Sequence, residues 1–199
     1  NNIIGGLTSS GATGANAVIG LSLTGGTTDN ASFNTIYLSG ASATFGSSAI
    51  SYTATPATVV LRSNIAYNAF PGASATLLAV ALRSAATGVP TNFSASSNNN
   101  LYYASGANTA IYYNGTTSYT LPNYKLIAGM GTREQASVTE NISSVLANTA
   151  TPASANYLHF VLRNVVVSVQ VNLIPRYNGV LANVSHQCFG GQRSSPIGN

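Results

Sequence analysis

The chain has 199 residues, with 7 Lys or Arg and 3 Asp or Glu, so 5% of it is charged where an ordinary soluble domain has roughly 25%. Its 45% apolar content excludes the low-hydrophobicity, high-charge composition of a disordered chain. A formal charge of +4 spread over 199 residues makes no patch for phosphates and disfavours nucleic-acid binding.

Of the 199 residues, 87 are Ser, Thr, Asn or Gly. The length allows one self-sufficient core. Cys188 is the sole cysteine, which excludes an intrachain disulfide and leaves packing or assembly to supply durability. The densest apolar stretch, Leu158–Leu173, is broken by His159, Arg163, Asn164, Ser168 and Gln170, so no membrane span of the usual 18–20 or so residues is expected in the mature chain. The start at Asn1-Asn2 predicts a removed precursor segment, and hence secretion through a cleaved signal peptide.

In chain order, a Gly/Ser-rich opening through Gly14 precedes Ala15–Thr24, whose odd positions Ala17, Ile19, Leu21 and Leu23 are apolar, the pattern of a strand with one buried face. Gly25-Gly26 ends it. Further strands are expected over Phe33–Ser39, Ile50–Ala54, Thr58–Tyr67, Ala75–Arg83, Leu101–Ala104, Ala110–Tyr113, Tyr119–Leu121 and Tyr124–Ala128. Leu77–Leu82 is apolar on both parities and fits a central strand or a helical turn. Arg133–Ala147 carries helical spacing at Val138, Ile142, Val145 and Leu146 behind Thr132-Arg133-Glu134-Gln135, a capping-box arrangement. Tyr157–Ile174 reads as a long strand that switches buried parity at a bulge near Arg163-Asn164. No fixed-period repeat is evident, and Asn98-Asn99-Asn100 and Gly106–Asn108 read as loop tips. The fold class is all-β, an antiparallel β-sandwich with at most one short helix: a tail and donor strand over residues 1–24, then a single domain over 25–199.

Titratable groups are few: Asp29, Glu134, Glu140, His159, His186, Cys188, Lys125, six Arg and the tyrosines. His186-Gln187-Cys188 lacks the second cysteine or carboxylate cluster of a metal or nucleophilic site, and three scattered acids offer poor material for a glycosidase pair. No catalytic residue, metal site or cofactor is therefore expected. Lys125, the sole lysine, suits a Lys–Asn isopeptide crosslink if a carboxylate lies beside it. Tyrosines cluster at Tyr102-Tyr103, Tyr112-Tyr113, Tyr119 and Tyr124, where they serve cross-strand packing or a sugar-stacking platform.

Five N-glycosylation sequons occur, at Asn30, Asn92, Asn114, Asn141 and Asn183. With so much Ser and Thr the count is what chance gives. A nearly uncharged surface, however, needs another source of solubility, and glycans supply it. So few carboxylates also leave acid little to titrate, which suits an acidic habitat.

The apolar and Gly-rich leader Asn1-Asn2-Ile3-Ile4-Gly5-Gly6-Leu7, the alternating strand after it, the sequons and the scarcity of charge resemble the thread filament subunits of thermoacidophilic archaea of the Sulfolobales. The resemblance implies an extracellular, glycosylated pilin, similar in fold to chaperone–usher pilins, that polymerises head to tail by donor-strand complementation and supports adhesion or biofilm. It makes Ile3, Ile4, Leu7, Ala17, Ile19, Leu21 and Leu23 the candidate donor side chains and identical subunits the partners. The lone Cys188 departs from the Cys pair common in bacterial pilins. Two alternatives stand beside it: a viral jelly-roll coat or spike protein, against which residues 1–28 offer no basic arm, and a secreted carbohydrate-binding module or hydrolase using residues 101–124.

Overall fold

The computed structural model describes residues 2–41, 44–85 and 91–143, together with residues 146, 149 and 158. The chain winds in coils. The first holds β1 (Ile3–Gly5), β2 (Gly14–Leu23) and β3 (Thr28–Ser32), and the second β4 (Thr35–Leu38), β5 (Phe45–Tyr52) and β6 (Thr58–Arg62). The third holds β7 (Ile65–Asn68) and β8 (Ala79–Ser84), then a stretch that bridges to β6 at Phe93 and Asn98. A fourth begins with β9 (Leu101–Ala104) and β10 (Thr109–Tyr113).

Equivalent strands of successive coils pair in parallel, in the orders β1-β4-β7-β9, β2-β5-β8-β10 and β3-β6. The result is a β-solenoid of about three turns, not the expected antiparallel sandwich. Among the described strands only β11 (Ser118–Tyr119) runs antiparallel to its neighbour, β10. The physical reason lies in coverage, because parallel strands are commonly buried on both faces and lose a clean alternation. Every residue of β5 and of β8 is buried, which also settles the two-parity stretch Leu77–Leu82.

A recurrent corner sets the period. Phe33, Ser63 and Asn99 have φ of 59°, 53° and 60°, left-handed values that turn the chain from one sheet into the next. Each is followed by an asparagine whose side chain hydrogen-bonds to the equivalent asparagine of the neighbouring coil. Asn2 N and Nδ2 donate to Asn34 Oδ1 at 3.0 and 2.9 Å. Asn34 N and Nδ2 donate to Asn64 Oδ1 at 3.0 and 2.9 Å, and Asn64 N and Nδ2 to Asn100 Oδ1 at 2.9 and 3.0 Å. The rungs are 32, 30 and 36 residues apart. The chain is thus repetitive, and Asn100, expected at a loop tip, is a buried rung. Thr58–Tyr67, expected as one strand, is two strands around the Ser63-Asn64 corner.

Ile36, Ala66 and Tyr102 point inward and are fully buried, joined by Val59, Leu61, Phe93 and Leu82 from the other sheets. On the opposite face of the first sheet, Tyr67 stacks between Tyr37 at 5.1 Å and Tyr103 at 4.7 Å. Ile142, Leu146 and Leu158 cover this tyrosine ladder, and Tyr67 Oη donates to Asn141 Oδ1 at 2.7 Å.

Beyond β10 the chain closes the stack. The helix α1 (Leu121–Lys125) carries the Thr120 cap and buries Leu121 and Tyr124, where Tyr124–Ala128 was expected to be a strand. Tyr124 stacks on Tyr112 at 4.0 Å. The hydroxyls of Tyr52 and Tyr124 are buried without a hydrogen bond, although Ser84 and Tyr112 lie close enough to Tyr52 to influence its ionisation. The helix expected at Arg133–Ala147 does not form: its opening residues are turns, with Glu134 at φ 57°, and Val138 bridges in parallel to Leu101.

Candidate functional site

The two ends of the coil stack differ. At the far end the asparagine ladder stops on a carboxylate: Asn100 Nδ2 donates to both Oε1 and Oε2 of Glu134 at 3.1 Å, and Tyr102 Oη donates to Oε1 at 3.1 Å. Ser137 Oγ donates to Oε2 and accepts the Asn100 N–H at 2.8 Å, the role an asparagine Oδ1 plays in the other rungs. Burial lifts the Glu134 carboxyl above the usual carboxylate range, opposed by the Ser137, Asn100 and Tyr102 hydrogen bonds and by the charge of Lys125. Lys125 Nζ donates to the carbonyls of Ser137 and Gln135 at 2.7 and 3.0 Å, pinning the turn that carries the carboxylate. Lys125 thus stands near enough for its charge to act on the Glu134 carboxyl, while its Nζ is bonded to backbone oxygens.

Among the described residues, the near end is open. β1, β2 and β3 each stand at the edge of their sheet. Asn2 O, Leu23 O and Thr27 O accept bonds from the second coil at Thr35, Thr53 and Thr58. Because backbone groups alternate in direction along a strand, Ile3 and Gly5, Gly20 and Ser22, and Thr28, Asn30 and Ser32 turn their N–H and C=O groups outward from the stack. Between these edges lies a pocket of about 410 Å³ lined by Asn2, Leu21, Leu23, Asn30, Ala31, Ser32, Phe33 and Asn34.

Residues 2–28 contain no Asp, Glu, Lys, Arg or Pro, the residue types with which proteins commonly blunt a free sheet edge. Phe33 is 65% exposed at the rim while holding a left-handed φ of 59°, a conformation that costs a bulky residue about 1–2 kcal/mol.

The expected donor side chains belong to this end and are folded onto their own chain. Ile4, Leu7, Leu21 and Leu23 pack partly buried against the core, Ile3 is 49% exposed, and Ala17 is exposed with Ile19 half-buried. A register shift between Gly14 and Val18 makes Val18, off the expected face, the buried residue of that stretch. Because β1 and β2 already pair with β4 and β5, one edge of each is occupied while the other has no partner among the described residues.

The sequons separate by burial. Asn30 and Asn141 are exposed. Asn92 is buried, with Nδ2 donating to the carbonyls of Thr53 and Pro56 at 3.0 and 2.7 Å. Asn114 is buried, with Oδ1 accepting from Thr116 and Thr117. Asn183 lies outside the described residues, as do His159, His186, Cys188 and most of the expected strand Tyr157–Ile174. Of the tyrosine cluster, Tyr102, Tyr112 and Tyr124 are core residues, and a shallow cleft of about 260 Å³ beside Tyr119 is lined by Ala104, Thr109, Ala110, Ile111, Ser118 and Thr120. Among the described residues no three His, Cys, Asp or Glu side chains gather where they could hold a metal. No described helix is long and apolar enough to cross a membrane.

The sequence reading missed the ladder itself and the open coil end. The recurring signal was present: Phe33-Asn34, Ser63-Asn64 and Asn99-Asn100 each precede a short apolar strand. No protein family, curated protein or solved structure matches this chain.

Proposed function

We propose that this protein is a structural subunit that assembles through the open end of its solenoid. The observation that carries the reading is the coincidence, at one end of the stack, of three strand edges with no partner among the described residues, no charged residue or proline over residues 2–28 and an exposed Phe33. Assembly there is edge addition: a strand from outside pairs with the free side of β1, β2 or β3 and satisfies their outward amides and carbonyls. It replaces donor-strand insertion, which would require β1 and β2 to leave the coil that they complete. An extracellular or adhesive role for such an assembly rests on the scarcity of charge and the exposed sequon Asn141.

The test is molar mass by light scattering across a concentration series, for the native chain and for Ser22→Lys. Ser22 is exposed and its backbone groups face outward, so lysine there guards the edge without touching the pairing to β5. The native chain is expected to gain mass with concentration and the variant to remain monomeric. A native chain that stays monomeric throughout would refute the reading.

A further inference from the structure

We infer that the partner at the open end is a second copy of this chain, joined end to end about a two-fold axis through the middle of β2. The inference rests on the edge-assembly reading above and adds the identity and geometry of the partner.

The far end opposes the head-to-tail alternative by the same kind of contact. A subunit adding in register would need a free parallel edge beyond β9, β10 and the Phe93–Asn98 stretch. Each of those positions is partly taken: Val138 pairs beside Leu101, β11 folds back on Tyr112 and Tyr113 of β10, and Glu134 N donates to Ser97 O at 2.9 Å. The ladder there ends on the Glu134 carboxylate, which accepts from Asn100, Tyr102 and Ser137. Among the described residues the near end is the surface left to meet itself, and self-complementary contacts of that kind are isologous and close with two-fold symmetry.

The three edges suit that symmetry. The strands follow one another around the coil as β1, β2 and β3, so two stacks facing each other wind in opposite senses and their edges meet antiparallel. An axis through β2 lays β2 on β2 of the other copy, carries β1 onto β3 of the other copy, and carries β3 onto its β1. β2 is the longest edge, with 10 residues, flanked by edges of 3 and 5. No like charges oppose one another, because Asp29 in β3 is the one charged side chain of the three edges and β3 meets the uncharged β1 of the other copy. The pocket over Leu21, Leu23 and Ala31 then faces its own image, and the two Phe33 rings, 65% exposed in the single chain, are the apolar anchors at the rim.

Symmetry makes the experiment selective. In a Cys188→Ser background, single cysteines are placed in turn at Ala17, Ile19, Leu21 and Ser22 in β2, and at Ile3 and Asn30, and each chain is checked for native circular dichroism. Near a two-fold axis a residue meets its own copy within the roughly 7 Å that a disulfide spans. At least one β2 position is expected to give mostly covalent dimer under mild oxidation. Ile3→Cys and Asn30→Cys chains are expected to crosslink when mixed and to stay monomeric alone. Concentration-dependent association without a self-linking β2 position would overturn the two-fold arrangement and leave edge assembly standing. Absence of association at every concentration would overturn both.

Discussion

Asn100 presents its amide nitrogen to both carboxylate oxygens of Glu134 at 3.1 Å, so a ladder built from repeated neutral amides ends on one buried charge. Each inner rung both accepts and donates. Asn64 Oδ1 takes two hydrogens from Asn34, and its own Nδ2 bonds to Asn100 and to the Ala31 carbonyl at 2.8 Å. A buried donor left without its acceptor costs about 1–3 kcal/mol. Asn64→Ala is therefore expected to lose on the order of 3 kcal/mol, because several groups lose partners together. Asn2→Ala, at the exposed end, is expected to lose less than about 1 kcal/mol. Urea denaturation midpoints of the two variants check the contrast, and equal losses would mean that the ladder carries no more weight inside than at its end.

The carboxylate sets a pH response. Burial is the largest influence on Glu134 and raises its pKa, so the folded state holds this proton more tightly than the unfolded chain does. Its contribution to stability is complete below the unfolded carboxyl value and is lost as pH rises through the folded one. Acidification from about pH 7 to about pH 3 is therefore expected to leave the Tm unchanged or raised by this residue. Glu134→Gln should flatten that dependence, and Glu134→Ala, which strands the Asn100, Tyr102 and Ser137 donors, should cost about 3 kcal/mol. A Tm that drops steeply in acid in the native chain and not in Glu134→Gln would contradict the assignment.

Alkali acts in the opposite sense. Burial raises the hydroxyl pKa of Tyr52, Tyr102 and Tyr124 well above 10.0, so the stability they contribute is complete below the unfolded tyrosine value and fades above it. Tyrosinate absorbance followed against pH should show the buried rings ionising only as circular dichroism reports unfolding. Ionisation of all 11 tyrosines with the fold intact would contradict their burial.

Much of the strand content was legible and the architecture was not. Ala15–Thr24, Leu101–Ala104 and Ala110–Tyr113 stand close to where β2, β9 and β10 form, because their residue types suit strands and turn residues bound them. Two physical effects hid the solenoid. Parallel strands buried on both faces, such as β5 and β8, carry no alternation from which a partner or direction could be read. The repeat is marked by one left-handed residue and one asparagine, at spacings of 32, 30 and 36, and the loops between them absorb the variation. The helical spacing of Val138, Ile142 and Leu146 had another cause: Val138 extends the first sheet while Ile142 and Leu146 cover the Tyr37–Tyr67–Tyr103 ladder. The alternation of Ala15–Thr24 marked a strand but not its partner, which comes from its own chain, where β1 and β2 pair with β4 and β5.

Phe33 separates stability from assembly. Asparagine tolerates the left-handed region better than phenylalanine, and Asn99 already holds the equivalent corner two coils away. Phe33→Asn is expected to stabilise the single chain by about 1 kcal/mol while weakening association at least tenfold, read as the midpoint of a dilution series. A variant that is less stable and associates normally would assign the ring to the fold instead of the interface.

Amide exchange at the free edge of β2 tests the account most directly. The N–H groups of Gly20 and Ser22 face outward, whereas those of Ile19 and Leu21 face β5, so hydrogen–deuterium exchange read residue by residue across a concentration series distinguishes edge from ladder. The account predicts that Ile19 and Leu21 stay protected throughout and that Gly20 and Ser22 exchange fast in dilute solution and become protected as concentration rises. Fast exchange at Gly20 and Ser22 that does not change with concentration would contradict it.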